Sequence, residues 1–140
     1  MSMVRNVKGL AFAGLTESGR WIAMDTVEEV GGITGGPKPM EILLQSLMGC
    51  TGMDVTSILK KMRQEFDSFE IHEEHERAEE HPKVYTRIEL RYIFEGKNLD
   101  PEKVKKAVRL SQERYCGVTA MLSKTAEIPY EIVINGERIK

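Results

Sequence analysis

Cysteine is scarce: the chain has two, Cys50 and Cys116. Neither belongs to a Cys-x-x-Cys pair, so a zinc ribbon and a thioredoxin-type site fit poorly, and two cysteines make no disulfide framework. Aromatic residues are few, at 6%, with a single tryptophan. No stretch approaches 18 uncharged apolar residues, so no membrane span is expected. Residues 1–9 carry Arg5 and Lys8 and lack the apolar core of a signal peptide, so a cytoplasmic location is expected. An excess of either charge is missing too. Twenty basic residues face 22 acidic ones, for a net charge of -2, and no basic run is visible. That excludes the electrostatic footprint of a nucleic-acid binder. Internal repeats, low-complexity tracts and a second domain are also absent. The 140 residues, 41% of them hydrophobic, with mean hydropathy -0.34, fit one ordinary globular domain.

What is present is organised around residues 37–64. Pro39 suits the first turn of a helix, where a missing N–H costs little, and Glu41 places negative charge at that end. Apolar residues recur at 40, 43, 44, 47 and 48, then at 55, 58, 59 and 62, which is helical spacing. The first half is apolar on most sides and is expected to be buried on most sides. Gly49 and Gly52 each weaken a helix by about 1 kcal/mol, so they imply close packing or a bend. Cys50 lies between them.

Before this helix, Leu10 and Phe12 alternate with small residues, Ser18-Gly19 reads as a hairpin turn, and residues 20–27 read as a second strand. Residues 28–38 hold four glycines and a proline and form a loop leading into the helix, without the pattern of a phosphate-gripping loop. After the helix, residues 67–76 read as a strand. All three histidines, His72, His75 and His81, fall in or just after it. On a strand, 72 and 75 point to opposite faces, which favours a solvated edge over a metal site. Residues 84–94 alternate with period two, Val84, Thr86, Ile88, Leu90, Tyr92 and Phe94 inward, Tyr85, Arg87, Glu89 and Arg91 outward. Asp100 and Pro101 suit the N-cap and first position of a second helix, which Cys116-Gly117 interrupts. A short helical piece and a strand over 126–134 follow, ending at the turn signal Asn135-Gly136. The order is β-β-α-β-β-α-β, with room for one more N-terminal strand. That is an α+β fold with helices laid on antiparallel sheet.

The cysteines leave two readings open. They are buried free thiols, or the two helices that carry them pack side by side and bring the sulfurs within disulfide range. Each stands next to a glycine, which allows another group to approach. A reactive Cys50 needs a cationic neighbour, because it lies too far from Pro39 to use the helix dipole. Arg20, at the foot of the N-terminal hairpin, is the favoured donor.

Two stretches carry a resemblance. They are Gly-Gly-Pro-Lys-Pro-Met-Glu-Ile-Leu-Leu-Gln-Ser-Leu-Met-Gly-Cys-Thr-Gly-Met-Asp-Val at 35–55 and Tyr-Cys-Gly-Val-Thr-Ala-Met-Leu at 115–122. With the order of elements and the cysteine spacing, they make the chain similar to the osmotically inducible protein C / organic hydroperoxide resistance family. The match is closer to its less characterised OsmC-like subgroup. The resemblance implies an OsmC-like intertwined homodimer, with antiparallel sheets wrapped around long central helices and active sites at the subunit interface. It implies a thiol-dependent peroxidase acting on organic hydroperoxides. Cys50 would be the attacking thiol, Cys116 the resolving one, and Arg20 the residue that holds the thiolate. No cofactor is implied; an external dithiol, of lipoyl type, would regenerate the enzyme. The best-studied members carry a glutamate directly after the helix-starting proline. Here Met40 occupies that position and Glu41 follows, about 100° further round the helix. Gly117 stands where proline often follows the second cysteine. The alternative from another class is a non-enzymatic dimeric module. It would hold a small apolar ligand among Met40, Leu44, Leu47, Met48 and Met53.

Overall fold

A computed structural model describes all residues, 1–140. The chain divides into two compact units, Met1–Gln45 and Ser46–Lys140.

The first unit contains an antiparallel sheet in the order β1 (Met3–Lys8), β2 (Ala11–Leu15), β3 (Trp21–Met24). The additional N-terminal strand is therefore present. The second hairpin closes where Thr16 and Arg20 pair through their main chains, with Gly19 left-handed at φ 80°. After β3 the glycine-rich loop gathers on one side chain. The Asp25 carboxylate, on a residue 3% exposed, accepts the backbone N–H groups of Thr26, Ile33 and Gly35 at 2.8, 3.0 and 2.8 Å. These bonds hold its pKa below the ordinary carboxylate range, Gly35 contributing most and burial opposing. Gly32 and Gly36 are required by contact: a Cβ at either would lie 2.0 Å from Thr26 O or 2.9 Å from Ala23 O. The sheet leaves apolar side chains in the open, Val4 at 61% and Trp21 at 59% exposure among them. An apolar groove of about 390 Å³ runs past Val4, Leu10, Phe12 and Met24.

The central helix, α1, spans Pro39–Lys61 as its sequence predicts. Its start is capped from within: the Glu41 carboxylate accepts the Lys38 backbone N–H at 2.9 Å, which satisfies one orphan donor. It ends in a left-handed residue, Arg63 at φ 58°. Burial departs from expectation. Within the chain it follows one stripe, Leu44, Leu47, Thr51, Val55 and Leu59, while Met53 is 76% exposed. The glycines also depart. A Cβ at Gly49 would meet nothing within 4 Å, and one at Gly52 would touch only Ile71 Cδ1, at 3.4 Å, so close packing within the chain explains neither. By length and composition α1 matches a membrane span. A core helix shares that property, and Leu47, Val55 and Leu59 are wholly buried.

In the second unit β4 (Ser68–Arg77), β5 (Tyr85–Glu95), β6 (Tyr130–Ile134) and β7 (Glu137–Ile139) form one sheet in that order. Asn135 and Gly136, both with positive φ, make the β6–β7 turn. The pairs β4–β5 and β6–β7 are antiparallel, but β5–β6 is parallel. This corrects the expectation of purely antiparallel sheet. Parallel neighbours require a crossover. Here it runs through α2 (Pro101–Leu110), a π turn at Ser111–Tyr115 and α3 (Gly117–Leu122). Asp100 caps α2, accepting the Glu102 N–H at 2.9 Å. Ile88, Leu90, Tyr92 and Phe94 of β5 point into the core as their period requires. Tyr85 does not follow it. It is 5% exposed rather than outward, and Thr86 is exposed rather than inward, because β5 bulges at Thr86, the extra residue between the pairs Glu76–Arg87 and Arg77–Tyr85, and the phenol ring packs against His75 and Arg77.

Candidate active site

Cys50 lies midway along α1 and is half-buried; Asp54 follows one turn later on the same face. Cys116 is buried at the junction between the π turn and α3. That junction is set by a widened turn. The Cys116 N–H donates to Ser111 O at 2.9 Å, a five-residue step that inserts one extra residue into the helix. The Sγ atoms of Cys50 and Cys116 and a carboxylate oxygen of Asp54 all lie within 4.8 Å of one another, and both thiols are free.

A buried hydroxyl network supports this triangle. Thr51, directly after Cys50, places Oγ1 2.7 Å from the Tyr92 hydroxyl and 2.8 Å from Ser111 Oγ. Ser111 donates to Asp54 Oδ2 at 2.9 Å, and Gln112 Nε2 donates to both Thr51 Oγ1 and Tyr92 OH. Thr51, Tyr92 and Ser111 are wholly buried, so each partner satisfies a group that would otherwise be stranded. Burial holds the Tyr92 phenol neutral, well above its ordinary range.

Around Cys116 the influences oppose each other. Burial pushes its thiol pKa up, and the nearby Cys50 sulfur adds to that. The Thr119 hydroxyl and amide favour the thiolate; the amide donates to Sγ at 3.3 Å. The same Thr119 Oγ1 is buried without a well-formed hydrogen bond. Cβ atoms built at Gly49 and Gly117 meet nothing within 4 Å, so the chain leaves room beside both cysteines.

Of the residues singled out in the sequence, the structure thus brings Cys50 and Cys116 together. Arg20 lies in the first unit, exposed at the β2–β3 turn, its N–H donating to Thr16 Oγ1 at 3.0 Å. Glu41 is exposed and engaged in capping α1. Arg87 pairs with Glu89 and Glu127, and Arg91 with Glu131, on the outward face of β5. His72 and His75 bond Glu70 and Glu73, each two residues back along β4. Leu44 and Leu47 are buried while Met53 is exposed, so the five residues of the apolar-ligand reading share no single environment. Sequence reasoning missed Asp54, Thr51, Ser111 and Thr119. One signal was available: Asp54 stands four residues after Cys50 in a helix, where the two side chains are neighbours.

Comparisons with known proteins bear on the family and the fold. The family model described as OsmC-like protein matches residues 31–131. Protein YhfA of Escherichia coli is 42% identical over 134 residues, which cover 93% of this chain and 96% of that one. Among solved structures, a hypothetical protein from Aquifex aeolicus is 34% identical, covers 96% of each chain and superposes with a TM-score of 0.79. An organic hydroperoxide resistance protein from Legionella pneumophila shares the fold at a TM-score of 0.69, with 12% identity over 95% of this chain and 96% of that one. This chain belongs to the family of OsmC-like proteins.

Proposed function

We propose that the protein is a two-cysteine thiol peroxidase that reduces organic hydroperoxides. The observation that carries the reading is the pair of free thiols within 4.8 Å. The Cys50 thiolate attacks the outer peroxide oxygen, the O–O bond breaks, and alcohol leaves as Cys50 becomes a sulfenic acid. The Cys116 sulfur displaces hydroxide from it to form the Cys50–Cys116 disulfide, and water is released. An external dithiol of lipoyl type then returns both thiols by exchange. The assignment of roles follows exposure: Cys50 is half-buried and open to substrate, while Cys116 is buried with its pKa raised.

In this proposal Arg20 supplies the positive charge that holds the Cys50 thiolate, and Glu41 orients the guanidinium. The protein acts as a cytoplasmic homodimer with active sites at the subunit interface. The apolar surface that the first unit exposes, with Met53 on α1, supports a second copy as its cover.

Intact mass after one equivalent of an organic hydroperoxide tests the chemistry. The expected result is a loss of about 2 Da in the wild type and a gain of about 16 Da in Cys116→Ser. A wild type that keeps the 16 Da gain rules out Cys116 as the resolving thiol.

A further inference from the structure

We propose that Cys50, Asp54 and Cys116 form a site for a thiophilic divalent cation of the zinc class, filled when both thiols are reduced and emptied when they pair.

Three observations carry this. First, the donor set is right: two sulfurs and one carboxylate oxygen suit zinc, and hard cations such as magnesium do not take thiolates. Second, the spacing is right. Zinc–sulfur bonds of about 2.3 Å put neighbouring ligand atoms of a tetrahedral site roughly 3.5–3.8 Å apart. The three atoms here are already within 4.8 Å of one another, so side-chain rotations of about 1 Å close the triangle. Cys50 and Asp54, one helical turn apart on α1, form a rigid pair of ligands, and Cys116 is held opposite by the π turn. Third, the ligands are supported. Ser111 Oγ donates to Asp54 Oδ2 at 2.9 Å and the Thr119 amide donates to Cys116 Sγ, the outer contacts that orient metal ligands. Thr119 Oγ1, buried beside that sulfur without a well-formed bond, is available to hold a water on the fourth position.

Charge argues the same way. With both thiols ionised the triangle carries three negative charges. Asp54 is held by a hydroxyl and takes part in none of the ion pairs of its unit. A divalent ion removes most of that repulsion. Resting on the peroxidase reading, the ion and the disulfide exclude each other. The metal-bound dithiolate, one hydroperoxide and two protons give disulfide, alcohol, water and free cation. Zinc therefore protects the reduced pair, and peroxide releases the metal.

The test uses the full chain, reduced and freed of metal by a chelator, titrated with cobalt(II) and then zinc(II). One equivalent of cobalt per chain should develop sulfur-to-cobalt charge-transfer absorption, which zinc abolishes by displacement. Asp54→Asn should weaken zinc by at least roughly tenfold with unchanged circular dichroism. Cys116→Ser should lose the two-thiolate spectrum. Wild-type protein without that absorption, or Asp54→Asn with unchanged affinity, overturns the site. Peroxide added to chelator-treated protein separates this proposal from the peroxidase. Disulfide formation with no metal uptake sinks the metal site alone. Metal uptake with no disulfide supports the site and sinks the peroxidase.

Discussion

Thr51 Oγ1 and Tyr92 OH lie 2.7 Å apart, both wholly buried, although 41 residues separate them in sequence. This bond ties the residue after Cys50 to the middle of β5, and Ser111 and Gln112 connect it to the turn that carries Cys116. Thr51→Val keeps the shape and deletes the shared acceptor. It should cost about 1–3 kcal/mol, because buried partners are left unsatisfied. Urea unfolding of the variant against wild type measures the cost. A midpoint that does not move would mean that the network is already broken in solution.

Arg20→Ala should slow both peroxide reduction and neutral-pH alkylation of Cys50. A charge-assisted contact of about 1.5–3 kcal/mol corresponds to roughly 10- to 100-fold. Arg87→Ala and Arg91→Ala, which remove arginines paired with glutamates on the outer face of β5, should change neither rate. Equal rates for Arg20→Ala and wild type would transfer the activating role to another cation.

Cys116 makes stability fall with rising pH. Its folded pKa is raised, chiefly by burial, so the unfolded thiol ionises first. The stabilisation is complete below the ordinary thiol pKa and is lost as pH rises through the elevated folded value. Chemical unfolding across the alkaline range should show this slope in the reduced wild type and a shallower one in Cys116→Ser.

Asp25 acts in the opposite sense. Its pKa is lowered by the backbone donors of Gly35, Thr26 and Ile33, so its contribution is present above the ordinary carboxylate pKa and lost as pH falls through the lowered value. Asp25→Asn should flatten the acid side of the melting-temperature profile and loosen the loop over residues 25–36. Hydrogen exchange at the Gly35 amide would report the loosening directly.

Sedimentation equilibrium at low micromolar concentration should give about twice the 15.9 kDa of one chain. A folded species of single-chain mass would remove the shared-site arrangement.

Features governed by local chemistry were legible in the sequence. Pro39 opens α1, Asp100 and Pro101 open α2, Asn135-Gly136 turns the last hairpin, and β5 shows its period. Each follows from a backbone or capping preference expressed within a few residues. The two thiols were legible as candidates, and their closeness only as one of two open readings. Features created by distant chain segments were hidden. The parallel pairing of β5 with β6, the bulge that turns Tyr85 inward and the π turn at Ser111 leave no periodic mark. Asp54 was passed over because its meaning depends on Cys116, which approaches from another element.

The crossover between β5 and β6 carries a consequence for the order of events during synthesis. Cys116 sits on that connection, ahead of β6 in the chain. Cys50 leaves the ribosome 66 residues earlier, on a helix whose last residue is Lys61. Throughout that interval its sulfur has no partner in its own chain. The growing polypeptide is thus most vulnerable to irreversible oxidation before Cys116 emerges, and a reducing compartment would shield it then.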